Sequence, residues 1–415
     1  MAPMKKKLLI IADVWPEPKS TAAGIRMLQL INFFEYQGYS ITMASKATAS
    51  KLSLNLKELG VVKTPIKLNH SSFDEFVSEL KPEVVLFDRF LTEEQFGWRV
   101  SEWVPNAVRI LDTEDLHSLR KTREKASKSG VEFTVDSWLS EDITKREIAS
   151  VYRSDLSLII SSYEKYLLQE VMGINKDILL YLPFLEDAIT FETKTNWKSF
   201  EDRQDFICIG NGKHSPNVDA IKWLKQDIWP IIRKELPEAN LNIYGAYLPE
   251  FVQKMHNPEE GFLVHGWAED KDEVFQNARL NLAPLRFGAG LKGKLIDAMK
   301  NGTPSITTQI GAEGMHQTLE WSGAIANSAE NFAKAAVDLY SNKLHWLEAQ
   351  ENGIQIINQL FSKEKHTLKL ASKLNSTIAS LQAHRNTNFI GAMLKQQTTL
   401  SSKYLSKWIE EKNRK

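Results

Sequence analysis

Gly288-Ala289-Gly290-Leu291-Lys292-Gly293-Lys294-Leu295-Ile296-Asp297-Ala298-Met299-Lys300-Asn301-Gly302-Thr303-Pro304 is the stretch from which the rest of the chain can be read. The apolar run Leu280 to Leu285 precedes it and reads as a short buried strand. Gly288, Ala289 and Gly290 let the backbone turn tightly and come close to a ligand, and helical spacing then runs from about Leu291 to Lys300. Strand, loop and helix N-terminus in that order offer unpaired N–H groups and the positive end of a helix dipole to an anion. Lys292 and Lys294 add two mobile cations, so the expected ligand carries phosphate. Asp297, three residues beyond Lys294, is within reach of the same helix end, where its carboxylate can accept hydrogen bonds from sugar hydroxyls. Asn301-Gly302 stops the helix and Thr303-Pro304 prevents its continuation.

Similar units repeat in both directions. Upstream of this stretch, apolar runs at Asp205 to Gly210, Leu241 to Gly245 and Phe262 to Gly266 read as strands, and Pro304 to Thr308 follows it. Helical patterns cover Val218 to about Glu235, Asn331 to Tyr340 and Lys343 to Gln359. The first half repeats the design with strands at Lys7 to Asp13, Ser40 to Ala44, Ile66 to Leu68, Val84 to Asp88, Arg109 to Thr113, Ser157 to Ser161 and Asp177 to Phe184. Continuous apolar strands alternating with helices predict α/β domains, each a parallel sheet covered on both faces, with ligands at the carboxyl ends of the strands. A polar stretch without sustained period marks a linker at 189–204. It separates a first domain, 1–188, from a second, 205–361, and a basic helical extension, 362–415, follows.

Three strand ends carry further candidate residues, and at the first of them polar side chains are denser than folding requires. Leu111-Asp112-Thr113-Glu114-Asp115-Leu116-His117-Ser118-Leu119-Arg120 follows an apolar strand, and Glu114 and His117 are candidates for positioning a reacting group. Asp115 reads either as a ligand-facing carboxylate or as the cap of a helix that begins there. Gly210-Asn211-Gly212-Lys213-His214 forms a second such loop, either a plain turn or a ligand loop with Lys213 and His214 as its basic groups. Behind the first strand, Ser20-Thr21 caps a helix from Ala22 to Gln37, with Gly24 and Arg26 in its first turn.

The stretch Gly288 to Met315 resembles the donor site of retaining glycosyltransferases of the GT-B architecture, the group 1 glycosyl transferases, in a variant that reads GAG-x-K-x-K followed by an acidic residue, Ala and Met. The segment Asp112 to Arg120 is similar to an Asp-Thr-x-Asp-x-His-x-x-Arg run in some of them. The resemblance implies two Rossmann-like domains facing a cleft, and transfer of a sugar from a nucleoside diphosphate sugar to a glycan, lipid-linked or other hydroxyl acceptor. It places Lys292 and Lys294 on the diphosphate and Asp297 on the ribose, with Gly288, Gly290, Gly210, Lys213, Gly311 and Glu313 around the donor. Gly24, Arg26 and Asp115 fall at an acceptor or phosphate loop, and Glu114 stands where many relatives have histidine. The commoner family pattern has a glutamate where this chain has Ala289, so the identity of the sugar does not carry over. Two other readings keep the donor site: a nucleotide-sugar 2-epimerase of the same fold, and a non-catalytic subunit that binds nucleotide sugar.

Composition removes other classes. With 415 residues, 25% of them charged, and a formal net charge of zero, the chain fits two ordinary globular domains and not a dedicated nucleic-acid binder. Cys208, the one cysteine, sits in an apolar strand and reads as a core residue. Asp270-Lys271-Asp272 has the spacing of a metal-binding acid pair, but its place at a helix start makes capping the expected role; no metal or other cofactor is expected. No apolar run approaches 18 residues, which points to a cytoplasmic protein. From Ser362 to Lys415 there are 11 Lys and Arg against 3 Glu, and Leu400, Tyr404 and Trp408 recur at helical spacing. That basic end either packs back on the first domain or lies on anionic lipid at the inner face of a membrane.

Overall fold

The computed structural model describes residues 6–414, apart from the side chains of 397–400. Lys6–Ala12 forms β1, and its residues Leu8 to Ile11 are fully buried. Leu8 and Ile10 join the core on one face of the sheet, Leu9 and Ile11 the core on the other, which is why the run is apolar without alternation. Each of these side chains contributes about 1.5–3 kcal/mol through burial. The other strands of this sheet are β2 (Tyr39–Ser45), β3 (Val62–Pro65), β4 (Val84–Asp88), β5 (Val108–Asp112), β6 (Leu156–Ile159) and β7 (Leu179–Tyr181), in the order β3-β2-β1-β4-β5-β6-β7. Every pairing is parallel.

The second sheet contains β8 (Gln204–Ile209), β9 (Leu241–Tyr244), β10 (Phe262–Gly266), β11 (Ala278–Ala283), β12 (Ser305–Thr307) and β13 (Gly323–Ile325), in the order β10-β9-β8-β11-β12-β13 and again all parallel. Strand order reverses between β1 and β4 in one sheet and between β8 and β11 in the other. The loops that leave these strands diverge there and open a crevice at the carboxyl ends. Both crevices face the same cleft.

Several expected elements differ in place. The strand expected at Ile66 to Leu68 is β3, four residues earlier; it is an edge strand with exposed Val62 and Lys63, so no apolar run marks it, while Ile66 turns into the core. The helix expected from Val218 begins at Ser215, because Pro216 fits a first turn. It then widens over Leu224–Ile228, just before Pro230, which has no N–H to donate. The linker contains a short helix, Phe191–Thr195, closed by reciprocal bonds between Thr190 and Thr193.

After Phe361 the chain crosses back to the first domain: the Glu186 N–H donates to the Phe361 carbonyl, and the Lys363 N–H to that of Glu186. Helix Lys363–Ala379 inserts Leu370 and Leu374 into the core beneath β1. Helix Phe389–Lys412 lies against the helices Phe90–Trp103 and Asp142–Arg153. Arg99 donates to Ser406, Lys403 pairs with Glu102 at 2.7 Å, and the Ser71 N–H donates to Glu410. Tyr404 and Trp408 remain exposed, and the side chain of Leu400 lies outside the described residues. No helix among the described residues is long and apolar enough to cross a membrane.

Candidate active site

One wall of the cleft is the loop between β11 and the helix Gly293–Lys300. The helix starts two residues later than its apolar pattern suggested, leaving Lys292 at the cap position with no side-chain cap, so the first N–H groups of the helix are open to a ligand. Gly290 has φ +62°, and a Cβ there would come within 2.8 Å of Asp115 Cβ in the first domain. Only glycine meets both conditions. Lys292 is buried and its Nζ donates to the Gly290 carbonyl at 2.8 Å; burial lowers its pKa to about 8. Lys294 Nζ donates to Asn217 Oδ1 at 2.7 Å, and burial lowers it as well. Asp297 pairs with Lys271 at 2.7 Å, while burial raises its carboxyl.

The facing wall is built at the ends of β4 and β5. Arg89 (φ +70°) and Glu114 (φ +63°) are both non-glycine residues in the left-handed region, a strain that surrounding contacts must hold in place. Burial, followed by the charges of Asp112 and Asp88, raises the Glu114 carboxyl well above its ordinary value, and its Oε1 is buried without a partner among the described residues. Asp115 does not cap a helix. The helix starts at His117 with Leu116 at the cap, and Asp115 instead accepts from Arg120 Nε at 2.6 Å and lies 3.2 Å from His117 Nε2. Burial alone would raise Asp115, but Arg120 and His117 outweigh it and hold the carboxylate below its usual range. His117 is lowered to about 4, chiefly by burial, so it is a neutral imidazole at pH 7.

The two walls enclose a cavity of about 560 Å³, a size suited to a ligand site. From the second domain it is lined by Gly288, Gly290, Lys292, Lys294 and Asp297, with Gly210, Lys213 and His214 beside them. From the first it is lined by Gly24, Glu114, Asp115 and His117. Three expected residues are not brought to it. Arg26 is buried under the cleft floor, paired with Asp112 at 2.7 Å and bonded to the Leu182 carbonyl. Gly311 packs against Thr307 in a short helix. Glu313 holds Arg123 through two bonds, 2.7 and 2.8 Å, and so joins the two domains instead of lining the cleft.

Arg89, Asn217, Tyr247, Trp267 and Lys271 also line the cavity and were not singled out from the sequence, and Arg120, the last residue of the Asp112 to Arg120 run, lines it with them. Asp88-Arg89 carries the same signal as Asp112 to His117, polar residues directly after a buried strand. Glu164 is the other addition. It is fully buried, and its Oε1 accepts from the Leu116 N–H at 2.9 Å and the Gly290 N–H at 2.8 Å, tying the two walls together. The acids of the Asp-x-Asp run are used locally: Asp270 caps the helix Lys271–Asn277, and Asp272 accepts from Asn301. Among the described residues no group of three or more His, Cys, Asp or Glu side chains is placed to hold a metal ion. Cys208 is buried in β8 with its thiol raised by burial.

Residues 203–342 match the family described as Glycosyl transferases group 1. A curated relative, an uncharacterized 44.6 kDa protein in the cps region of Klebsiella pneumoniae, is 26% identical over 166 residues, which is 38% of this chain and 43% of that protein. The chain thus matches less than half the length of that relative. Among solved structures, sucrose-phosphate synthase from Thermosynechococcus elongatus superposes with a TM-score of 0.64 at 15% identity, covering 90% of this chain and 100% of the other. TarM of S. aureus gives 0.67 at 10% identity over 90% and 100%. HepE of Anabaena, solved with UDP and glucose, gives 0.63 at 12% identity over 89% and 99%. At such identities the likeness is one of fold, and the fold is GT-B: two parallel-sheet α/β domains across a cleft.

Proposed function

We propose that this chain, whose second domain is that of a glycosyltransferase, moves a sugar from a nucleoside diphosphate sugar to a hydroxyl group of a glycan or lipid-linked acceptor, with retention at the anomeric carbon. The observation that carries this reading is the convergence of Lys292, Lys294, Asp297 and an uncapped helix start on one wall with Glu114, Asp115 and His117 on the other. The bond from the anomeric carbon to the diphosphate oxygen breaks, and charge accumulates on the leaving group. Two lysines and open N–H groups fixed at that point stabilise the transition state more than the ground state. Asp297 takes the ribose hydroxyls. The acceptor oxygen bonds on the face the diphosphate leaves, and its proton goes to the leaving phosphate, so no enzymic nucleophile is needed. Neutral His117 orients hydroxyl groups as a hydrogen-bond partner without adding charge, and Glu114, whose carboxyl is raised by burial, is a second hydrogen-bonding group beside it. That a structure of the same fold was solved with UDP and glucose supports a nucleoside diphosphate in this cleft.

The test is a panel of nucleoside diphosphate sugars with the purified protein, reading release of nucleoside diphosphate with and without excess chelator. Release from one donor, undiminished by chelator and lost in Lys292→Ala and Asp297→Ala, supports the reading and names the sugar. Conversion of the donor to an epimer without acceptor would make the chain an epimerase. Donor binding with no cleavage, even with pooled glycan and lipid acceptors, would make it a binding subunit. Exposed Tyr404 and Trp408 beside Lys407 and Lys412 support placing the enzyme on anionic lipid, and absence of sedimentation with anionic vesicles at low salt would remove that placement.

A further inference from the structure

We infer that a second anion site, shaped for a phosphate-type oxyanion, lies at the opposite end of the first sheet from the cleft. Arg109 stands near the amino end of β5 and Asp155 immediately before β6, whereas the cleft is built at the carboxyl ends of these strands. The C-terminal extension roofs this end, and a cavity of about 280 Å³ remains between the two, lined by Arg109 and Asp155 below and by Arg385, Asn386 and Lys395 above. It shares no lining residue with the cleft.

Among the described residues three cations and one carboxylate line this cavity, a formal excess of two positive charges in a half-enclosed space. Asp155 is already saturated. Its Oδ2 accepts from the Arg109 backbone N–H at 2.9 Å and Arg385 Nη2 at 2.8 Å, and its Oδ1 accepts from Arg385 Nε at 2.8 Å and, more distantly, Arg109 Nη2 at 3.5 Å. Lys395 Nζ reaches no closer than 3.9 Å to it. Glu93, the other acid whose charge acts on Lys395, is buried and taken by Arg153. Lys395 lines the cavity without a close counter-ion among the described residues, a costly arrangement that a ligand oxygen beside Nζ would relieve. Cation crowding has a second trace: burial and then neighbouring Arg109 lower Lys395 to about 7, and Arg109 is itself lowered by burial despite Asp155. A doubly charged oxyanion offers both the compensating charge and several acceptor oxygens; Lys395 would supply the charged donor, with the Arg109 and Arg385 guanidinium charges lining the same space.

Inorganic phosphate is the probe, titrated calorimetrically into the full-length protein at low ionic strength, with sulfate as competitor. One saturable component is expected to persist in Lys292→Met, which disables the cleft, and to weaken at least about tenfold in Lys395→Gln. Asn386→Asp, which places a carboxylate at the cavity rim and leaves Lys395 intact, is expected to weaken it as well. Phosphate binding that Lys292→Met removes and Lys395→Gln leaves intact would overturn the inference, as would absence of saturable binding. Vesicles of phosphatidic acid in phosphatidylcholine then separate the sources. Sedimentation that requires phosphatidic acid and is lost in Lys395→Gln makes a lipid headgroup the ligand, and phosphate binding without sedimentation makes it a free anion.

Discussion

Replacing Lys292 by methionine should make the protein more stable and nearly inactive. Burial lowers Lys292 from its ordinary 10.5 to about 8, a shift equivalent to about 3 kcal/mol held against folding when the lysine is charged. Methionine keeps the apolar stem and removes the charge, but it also forfeits the bond from Nζ to the Gly290 carbonyl, about 1 kcal/mol. The net gain at pH 7 is about 2 kcal/mol, or about 4–8 °C in Tm for a domain of this size. The sign follows from the depressed folded value. Wild-type stability from this group is present above pH 10.5 and lost as pH falls through 8, so the advantage of the variant is full at pH 7 and fades between pH 8 and 10.5. In catalysis the effect reverses. Losing one fixed cation from the leaving diphosphate should lower kcat about 10²–10³-fold. In wild type, kcat/KM should fall above about pH 8 as the free enzyme loses this proton. Thermal melts from pH 6 to 10.5 and release of nucleoside diphosphate over the same range measure both. A variant less stable than wild type at pH 7, or one that keeps kcat within about threefold, would refute the reasoning.

Asp297→Asn should raise KM for the donor about 10–100-fold and weaken binding of free nucleoside diphosphate by a similar factor, with kcat changed less, because it removes charge from ribose contacts remote from the bond that breaks. Arg26→Met should cost about 3–5 kcal/mol in denaturant unfolding, since it leaves Asp112 charged and fully buried, while activity per folded molecule is kept. In Glu164→Gln, one oxygen can still accept from Leu116 and Gly290. Burial raises Glu164 to about 8, so its stabilising contribution is complete below 4.5 and lost as pH rises through 8; from pH 5 to 9 wild type should lose up to about 4–5 kcal/mol relative to the glutamine variant.

The fold was legible where burial left a continuous record. β1, β4, β10 and the helix after Gly290 coincide closely with their sequence patterns because each must bury apolar residues at fixed spacing. β3 and β13 left little trace, since one is an exposed edge and the other three half-buried residues. Among site residues, those on one contiguous run, Gly288 to Asp297, could be proposed from spacing alone. Arg26 and Glu313 misled for a common reason: a charge near a strand end reads the same in sequence whether it faces a ligand or a buried partner, and only the positions of Asp112 and Arg123 decide. Trp267, Tyr247 and Arg89 were hidden because each is a single residue at the end of a different strand. The role of Glu164 depends on a contact across 126 residues, which no local pattern encodes.

That contact also bears on how donor and acceptor sides communicate. Gly290 is held by Glu164 Oε1, its left-handed backbone leaves no room for a Cβ beside Asp115, and Arg123 donates to the Gly288 carbonyl while gripping Glu313. The loop that carries Lys292 therefore takes its shape from the first domain, and in particular from the segment that presents Asp115 and His117. Parting the domains would release Gly290 from Glu164 and Gly288 from Arg123 together, and with them the position of Lys292. Under the proposed function, an open cleft would then hold a nucleotide sugar without activating it. Activation would wait for the closed arrangement, in which water is excluded and the acceptor-side residues are already in place.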